Sequence, residues 1–274
     1  MIKPYLFIIF IFFILSSQHF SAFGHSFESD DSVYLLTLIE KTQTELELAK
    51  KNYPSNVTLS MDHSDDAARL VYETFYADED VANDGEFTKR YNQELSKANI
   101  TSNALVVVTL VDEVLRNYAD SIDLNFDLTN MSNLLYIIPT KSTNNNTNNE
   151  SIDKLESSFF VDALNNLENS NVNSIDGKNP LFVSNHTIMN YAKHETAKTI
   201  AMKINTLFQL YLKSFIGMDK TKLNDVSKLE DDFYKLYSMI DKNSSPAEIM
   251  KKVHIDIQPT MQKVYNLKIK MQQT

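Results

Sequence analysis

The chain has 274 residues, a net charge of −10, four glycines and no cysteine. The absence of cysteine excludes disulfides, thiolate metal ligands and a cysteine nucleophile. The acidic balance argues against a nucleic-acid partner, which requires clustered lysine and arginine. The scarcity of glycine disfavours β-rich and nucleotide-binding folds, whose tight turns and phosphate-binding loops depend on it.

The first 24 residues have the pattern of a cleavable signal peptide. Lys3 precedes an unbroken apolar run at residues 6–15, which is shorter than the about 20 residues that a membrane span needs. Ala22 and Gly24 place small side chains at the −3 and −1 positions of a cleavage site. We therefore expect a secreted or cell-surface protein whose mature chain starts at His25 and has no membrane span. An uncleaved N-terminal anchor is the alternative.

Apolar residues recur at spacings of three and four through most of the mature chain, which predicts α-helices. In the N-terminal part, residues 25–139, a helix over residues 31–53 is ended by Pro54. Thr101 or Ser102 caps a later helix whose first residues, ALVVVTLV, would also suit a buried strand. The length of its apolar pattern favours the helix. Further helices are predicted over residues 59–80 and 87–98.

Residues 140–151 (TKSTNNNTNNES) form a polar, asparagine-rich run with too few apolar side chains to fold alone. We predict that this run links the N-terminal part to a C-terminal helical part over residues 152–274, although the two parts can also share one bundle. Ser245 and Glu248 form a capping box, and Pro259 must kink or interrupt the helix that follows. Helices are predicted over residues 152–167, 187–216 and 225–241, and the expected fold is an all-α antiparallel helical bundle.

The sequence contains sequons for N-glycosylation at several asparagines. Some would arise by chance in a chain this rich in asparagine, serine and threonine, and exposed sequons on an exported protein are candidates for modification. Those in the asparagine-rich run are the best placed on sequence grounds. The sequons begin at Asn56, Asn99, Asn130, Asn145, Asn149, Asn185 and Asn243.

Two patterns that suggest metal-dependent chemistry are incomplete. His194 and Glu195 begin a zinc-protease motif, but Lys198 occupies the position of its second histidine. Asp123 begins a calcium-loop pattern in which Leu128 replaces the required turn glycine. We therefore predict no catalytic residues and expect a non-enzymatic protein.

The remaining chemical signal comes from three histidines. Cleavage after Gly24 would give His25 a free α-amine, which together with its imidazole can chelate one metal ion. His63 and His254 lie on core-facing stripes of their predicted helices, so either can supply a third nitrogen and complete a site that suits copper. A frayed terminal histidine and two hydrogen-bonded core histidines are the alternative. The methionines recur at helical spacing without clustering, so we interpret them as core residues and not as copper ligands.

Several segments resemble a group of uncharacterised exported helical proteins of ammonia-oxidising archaea. The resemblance implies export and a helical fold, and it implies no activity, because none of the segments is a motif with an established chemical role. The copper-rich extracellular metabolism of such organisms favours the copper hypothesis by association. The segments are residues 23–27 (FGHSF), 63–67 (HSDDA), 126–134 (FDLTNMSNL) and 244–261 (SSPAEIMKKVHIDIQPTM).

Together these patterns lead to two expectations of different classes. The first is an exported, non-enzymatic helical-bundle protein that interacts with a protein or cell-surface partner. The alternative is an extracytoplasmic copper-binding protein that uses the amine and imidazole of His25 with His63 or His254. An enzyme built around that metal is a third and weaker interpretation.

Overall fold

A computed structural model describes residues 31–77, 99–124, 126–129, 180–216 and 221–268. These residues form helices and connecting turns, and no strand occurs among them. The predicted all-α fold is therefore confirmed. The helices are α1 (Asp31–Asn52), α2 (Val57–Ala77), α3 (Ile100–Ser121), α4 (Tyr191–Leu207), α5 (Lys213–Ile216), α6 (Leu223–Asp241), α7 (Pro246–Lys251) and α8 (Gln258–Tyr265).

Helices α1 and α2 form an antiparallel hairpin. The Ser60 hydroxyl on α2 donates to the carbonyl of Ala49 on α1 at 2.8 Å, and further along His63 lies against Glu45. Later residues of α2 thus contact earlier residues of α1, so the two helices run in opposite directions. The turn between them contains Pro54, which the sequence predicts as the end of the first helix, and α1 does end two residues earlier at Asn52.

The main hydrophobic core is built by α3, α4 and the C-terminal helices, with a smaller contribution from the first turns of α1. Phe208 and Phe233 meet edge to face in this core, with ring centroids 5.2 Å apart. The Tyr118 hydroxyl on α3 donates to the Ser244 carbonyl at 2.6 Å and so fastens α3 to the turn before α7. The core therefore contains side chains from both sides of the predicted linker.

The capping box predicted at the start of α7 is confirmed. The Ser245 side chain accepts from the Glu248 amide, and the Glu248 carboxylate accepts from the Ser245 amide. The predicted cap of α3 is wrong, because Asn99 caps that helix by accepting from the Ser102 amide at 2.9 Å. The helix starts at Ile100, so Thr101 and Ser102 already lie within its first turn.

Two π-helical segments interrupt the long C-terminal helices. One, Phe208–Leu212, joins α4 to α5; the other, Lys252–Ile257, joins α7 to α8. Pro259 lies in the first turn of α8, directly after the second segment. The helical path is continuous through this segment, and the Gln258 amide bonds to the Val253 carbonyl five residues back. Because Pro259 has no N–H with which to continue the usual four-residue ladder, the predicted interruption takes the form of a change in helical winding.

Some residues of the predicted apolar stripes are exposed. Leu46, Val71 and Tyr211 face solvent, although the spacing places them on core-facing stripes. The interpretation of the methionines as core residues holds for Met250 and Met261, which are fully buried. It is wrong for three others, because Met61, Met189 and Met202 are exposed.

Several predictions fall outside the described residues. They concern the signal peptide at residues 1–24, the helices over 87–98 and 152–167, and the linker over 140–151. Within the described ranges, no helix combines the length and the apolar character that a membrane crossing requires.

Candidate functional site

The most unusual buried polar group in the described structure is a histidine between two glutamates. His63 comes from α2, Glu45 from the facing turn of α1, and Glu195 from the first turns of α4. Nδ1 of His63 lies 2.7 Å from Oε2 of Glu45, and Nε2 lies 3.3 Å from Oε2 of Glu195. Three helices therefore converge on one imidazole ring. We call these three side chains the His63 cluster.

Both ring nitrogens of His63 face carboxylate oxygens, which restricts the chemistry of the cluster. An ionised carboxylate only accepts hydrogen bonds, so each nitrogen needs a cation or a proton between itself and its glutamate. The side chain of His63 is fully buried and that of Glu45 is 4 % exposed, which removes water as a substitute partner for that pair. The geometry fits an imidazolium ring that donates to Glu45 and to Glu195.

The two carboxylates have further partners besides His63. The Thr196 hydroxyl donates to Oε1 of Glu45 at 2.9 Å. The Asn52 amide donates to Oε2 of Glu195 at 2.7 Å, and Nζ of Lys51 lies 3.4 Å from Oε1. Every carboxylate oxygen of the cluster is thus hydrogen-bonded or ion-paired, which is what makes buried charges tolerable.

Protonation in the His63 cluster follows from the balance of burial and attraction. Burial lowers the pKa of His63, but its hydrogen bonds and charge attraction to Glu45 and Glu195 outweigh burial and raise the pKa above its ordinary value. Burial raises the pKa of Glu195, yet its contacts with Asn52, Lys51 and His63 lower it overall. Both shifts favour the charged forms of the pair.

Ion pairs near the His63 cluster also join the α1–α2 hairpin to α4. Lys193 on α4 lies 2.7 Å from Asp66 on α2, and Lys203 on α4 lies 2.8 Å from Glu40 on α1. Of the hairpin side chains whose burial the structure describes, the main core contains only those from the start of α1 and none from α2. Polar contacts are therefore a principal connection between α4 and the hairpin among the described residues.

His254 belongs to a second buried polar group, which joins the second π-helical segment to α3 and to Leu128. Its Nδ1 lies 2.8 Å from Oε1 of Gln258, and its Nε2 lies 2.9 Å from the carbonyl of Leu128. The Gln258 amide in turn donates to Oδ1 of Asp112 at 2.9 Å. Burial raises the pKa of Asp112 to about 7, so this carboxyl exchanges a proton near neutral pH.

Two proton arrangements satisfy the hydrogen bonds just described among His254, Gln258 and Asp112. In one, a charged His254 donates through Nδ1 to Gln258, whose amide donates to an ionised Asp112. In the other, the Gln258 amide is turned by half a rotation, so that a protonated Asp112 donates to its oxygen and its nitrogen donates to a neutral His254. Both arrangements carry no net charge, and the second avoids burying an ion pair.

Two of the three histidines of the copper hypothesis lie in these groups, His63 in the first and His254 in the second. His63 and His254 are buried, as their positions on apolar stripes suggest, but each has its own protein partners on both ring nitrogens. His25 lies outside the described residues. Within the described ranges, no three histidine or carboxylate side chains are arranged to bind one metal ion. The copper site stays a prediction.

Sequence reasoning did not identify Glu45 or Glu195 as partners of His63. A signal for Glu45 exists, since a carboxylate four residues before buried Ala49 on an apolar stripe must find a partner in the interior. Glu195 attracts notice in the sequence only as part of an incomplete zinc-protease motif. Its position beside His63 depends on how α4 packs against the hairpin, which a helical spacing does not reveal.

Comparisons with known proteins add no family to this description. No protein-family model matches the chain, and neither the curated proteins nor the solved structures contain a match.

Proposed function

We propose that the chain is an exported, non-enzymatic helical-bundle protein that binds a partner at the cell surface. The observation that carries this proposal is an exposed aromatic pair, Tyr53 and Tyr191, which are 65 % and 68 % exposed. Tyrosine is enriched in the centres of protein interfaces, because it combines a large apolar area with a hydroxyl and few rotatable bonds. Two such side chains in one region are a candidate contact surface.

The two tyrosines flank one contact between α1 and α4. Tyr53 directly follows Asn52, whose side chain is bonded to Glu195. Tyr191 is the first residue of α4 and lies one helical turn before Glu195, on the same side of that helix. The contact places both tyrosines near the turn of the hairpin, and Met189, also exposed, precedes Tyr191 by two residues.

A binding comparison with matched variants tests the proposal. The purified mature protein is labelled and added to isolated envelopes of the cells that produce it, alongside a Tyr53→Ser, Tyr191→Ser double variant. Tyr234→Ser serves as control, since Tyr234 is equally exposed, at 66 %, on the outer face of α6. We expect the double variant to bind at least tenfold more weakly and the control to bind like the wild type. Equal binding by all three proteins would refute the surface.

The alternative function is copper binding by the amine and imidazole of His25 with His63 or His254, and the second ring contact of His63 favours it. Nε2 of His63 and Oε2 of Glu195 are 3.3 Å apart, so a shift of about 0.5 Å would bring them to the about 2.8 Å that separates neighbouring ligands around a Cu(II) ion with bonds of roughly 2 Å in tetragonal geometry. The hydrogen bond from Nδ1 to Glu45 resembles the carboxylate contact that orients metal-binding histidines. A metal ion would then occupy the place that a proton occupies in an imidazolium ring.

The position of His25 limits this alternative. Glu45, the partner of His63, lies 14 residues after Asp31, where α1 begins, which is about 21 Å along the helix axis. Residues 25–30 cover at most about 21 Å when fully extended. The N-terminal amine can therefore reach His63 only with an almost fully extended segment, and the pairing of His25 with His254 is the other arrangement to test.

Two measurements separate copper binding from the first proposal. Mass spectrometry of the secreted protein establishes whether His25 is the N-terminal residue that the chelate requires. Cu(II) electron paramagnetic resonance then compares the wild type with His25→Ala, His63→Ala and His254→Ala, with His194→Ala as a histidine control. The copper alternative predicts that the spectrum changes in His25→Ala and in one of the other two variants, but not in the control. Identical spectra in all proteins would refute it.

A further inference from the structure

Two of the glycosylation sequons lie next to each other in the structure. The asparagine of one is exposed, and the side chain of the other is hydrogen-bonded to a helix. The backbone amide of Asn185 donates to the carbonyl of Asn243 at 2.8 Å. Asn185 is exposed and lies in the connection between residues 183 and 190, outside any helix. Its φ of 59° is left-handed, a conformation that asparagine adopts more readily than most residues. The hydroxyl-bearing residue of its sequon, Thr187, is exposed too.

The side chain of Asn243 is hydrogen-bonded to a neighbouring helix. Its Oδ1 lies 2.9 Å from Nε2 of His194 on α4, and the residue is only half-exposed. A sugar on this carboxamide would have to fit beside the His194 ring, between α4 and the turn after α6. Asn185 and Asn243 therefore form a natural comparison within one small region of the protein.

The other two described sequons are tied into helices. Asn56 accepts from the Leu59 amide with its side chain, and Asn99 accepts from the Ser102 amide. The third residues of these sequons, Thr58 and Thr101, lie in the first turns of α2 and α3. A transferase that requires an open asparagine-x-threonine segment would have to unwind these turns. The segment at Asn185 needs no such unwinding.

We infer that Asn185 is a site of N-linked glycosylation whose donor is an oligosaccharide on a lipid pyrophosphate. The side-chain nitrogen Nδ2 forms a bond to C1 of the first sugar, and the bond from C1 to the pyrophosphate oxygen breaks. The lipid pyrophosphate leaves as an anion, and one amide proton passes to a base of the transferase. This modification rests on the proposed export, because the donor and the transferase act on chains that have left the cytoplasm.

Glycopeptide mass spectrometry of the secreted protein tests the inference. The full chain, with its own N-terminal segment, is produced in a host that performs N-glycosylation, and the protein is recovered from the medium. We expect a glycan on Asn185 and none on Asn243. Thr187→Ala removes the sequon without changing the acceptor, so it should abolish the glycan on Asn185, whereas Thr187→Ser should restore it.

The outcomes distinguish this inference from the proposal of export. Secreted, folded protein with unmodified Asn185, or with a glycan on Asn243, would overturn the assignment of the site and leave export intact. A chain that is produced but found neither in the medium nor on the cell surface would contradict export, and the modification would fail with it.

Discussion

Nδ1 of His63 lies 2.7 Å from Oε2 of Glu45 in the interior between α1, α2 and α4. A buried charge costs several kcal/mol unless a partner compensates it, so each of the two groups requires the other. Because Glu195 approaches the second ring nitrogen, the same imidazole also connects the hairpin to α4. The packing of the hairpin against α4 therefore depends on the protonation state of His63.

Removal of the His63 ring should destabilise the fold strongly. His63→Ala leaves Glu45 buried with the Thr196 hydroxyl as its remaining side-chain partner, and breaking a buried pair in this way typically costs about 3–5 kcal/mol. We expect the free energy of unfolding, measured by urea denaturation, to fall by about 3 kcal/mol. Asp62→Ala, at an exposed neighbouring position on α2, should change it by less than about 0.5 kcal/mol. Equal effects of the two substitutions would show that the cluster carries no special stability.

The His63 cluster should also give the stability a pH optimum. The pKa of His63 is raised in the folded state, so its contribution is fully present below its ordinary value near 6.5 and is lost as pH rises through the higher folded value. The pKa of Glu195 is lowered, so its contribution is present above its ordinary value of 4.5 and is lost as pH falls through the lower folded value. The charged groups around the ring are Glu45, Glu195 and Lys51.

Urea midpoints measured from pH 4 to pH 9 test this dependence. The wild type should be most stable between these two limits, at mildly acidic pH. His63→Gln should show a smaller decline on the alkaline side, because glutamine has no proton to release in that range, and the part that remains is due to Asp112, whose pKa is raised to about 7. An unchanged alkaline decline in His63→Gln would assign it to another group.

Two adjacent carboxyl groups on α3, those of Asp112 and Glu113, should affect stability in opposite directions when each is replaced by its uncharged amide. Burial raises the pKa of Asp112 from 3.8 to about 7. The folded protein therefore loses stability as pH rises from the lower of these values through neutral pH, because the buried carboxyl has to ionise. For Glu113, burial is outweighed by ion pairs with Lys41 and Arg116, which lower its pKa. At pH 8, Asp112→Asn should stabilise the protein by about 2 kcal/mol, and Glu113→Gln should destabilise it.

Thermal unfolding at two pH values provides the check on this pair. At pH 4 the gain from Asp112→Asn should disappear, because the wild-type carboxyl is already protonated there. A variant that is less stable than the wild type at pH 8 would show that Asp112 is ionised and that His254 carries the compensating charge. The experiment therefore also decides between the two proton arrangements around Gln258.

The fold class and the local helix signals could be predicted from the sequence because they depend on residues close together in the chain. Apolar spacing within one helix identifies the stripe on which His63 and His254 lie, and the capping box at Ser245 needs only four consecutive residues. The sequence does not single out the cap at Asn99, since Thr101 and Ser102 are equally good capping residue types two and three positions later.

The candidate site could not be predicted, because its members are far apart in the sequence. Glu195 is 132 residues from His63, and only the packing of α4 against the hairpin brings them together. Exposure of Leu46 and Tyr211 has the same origin, since a helical spacing defines a stripe but not how much of it a neighbouring helix covers. The π-helical segments likewise follow from packing and from Pro259, not from any local pattern.

The imidazolium form of His63 places a proton, and not a metal ion, between Nε2 and Glu195. Nitrogen-15 NMR of the ring, recorded on the metal-free mature protein at pH 6, measures this directly. We predict that Nδ1 and Nε2 are both protonated and that added Cu(II) leaves their signals unchanged. A ring with unprotonated Nε2, whose signal responds to one equivalent of copper and is insensitive to copper in Glu195→Gln, would contradict the claim and establish the copper alternative.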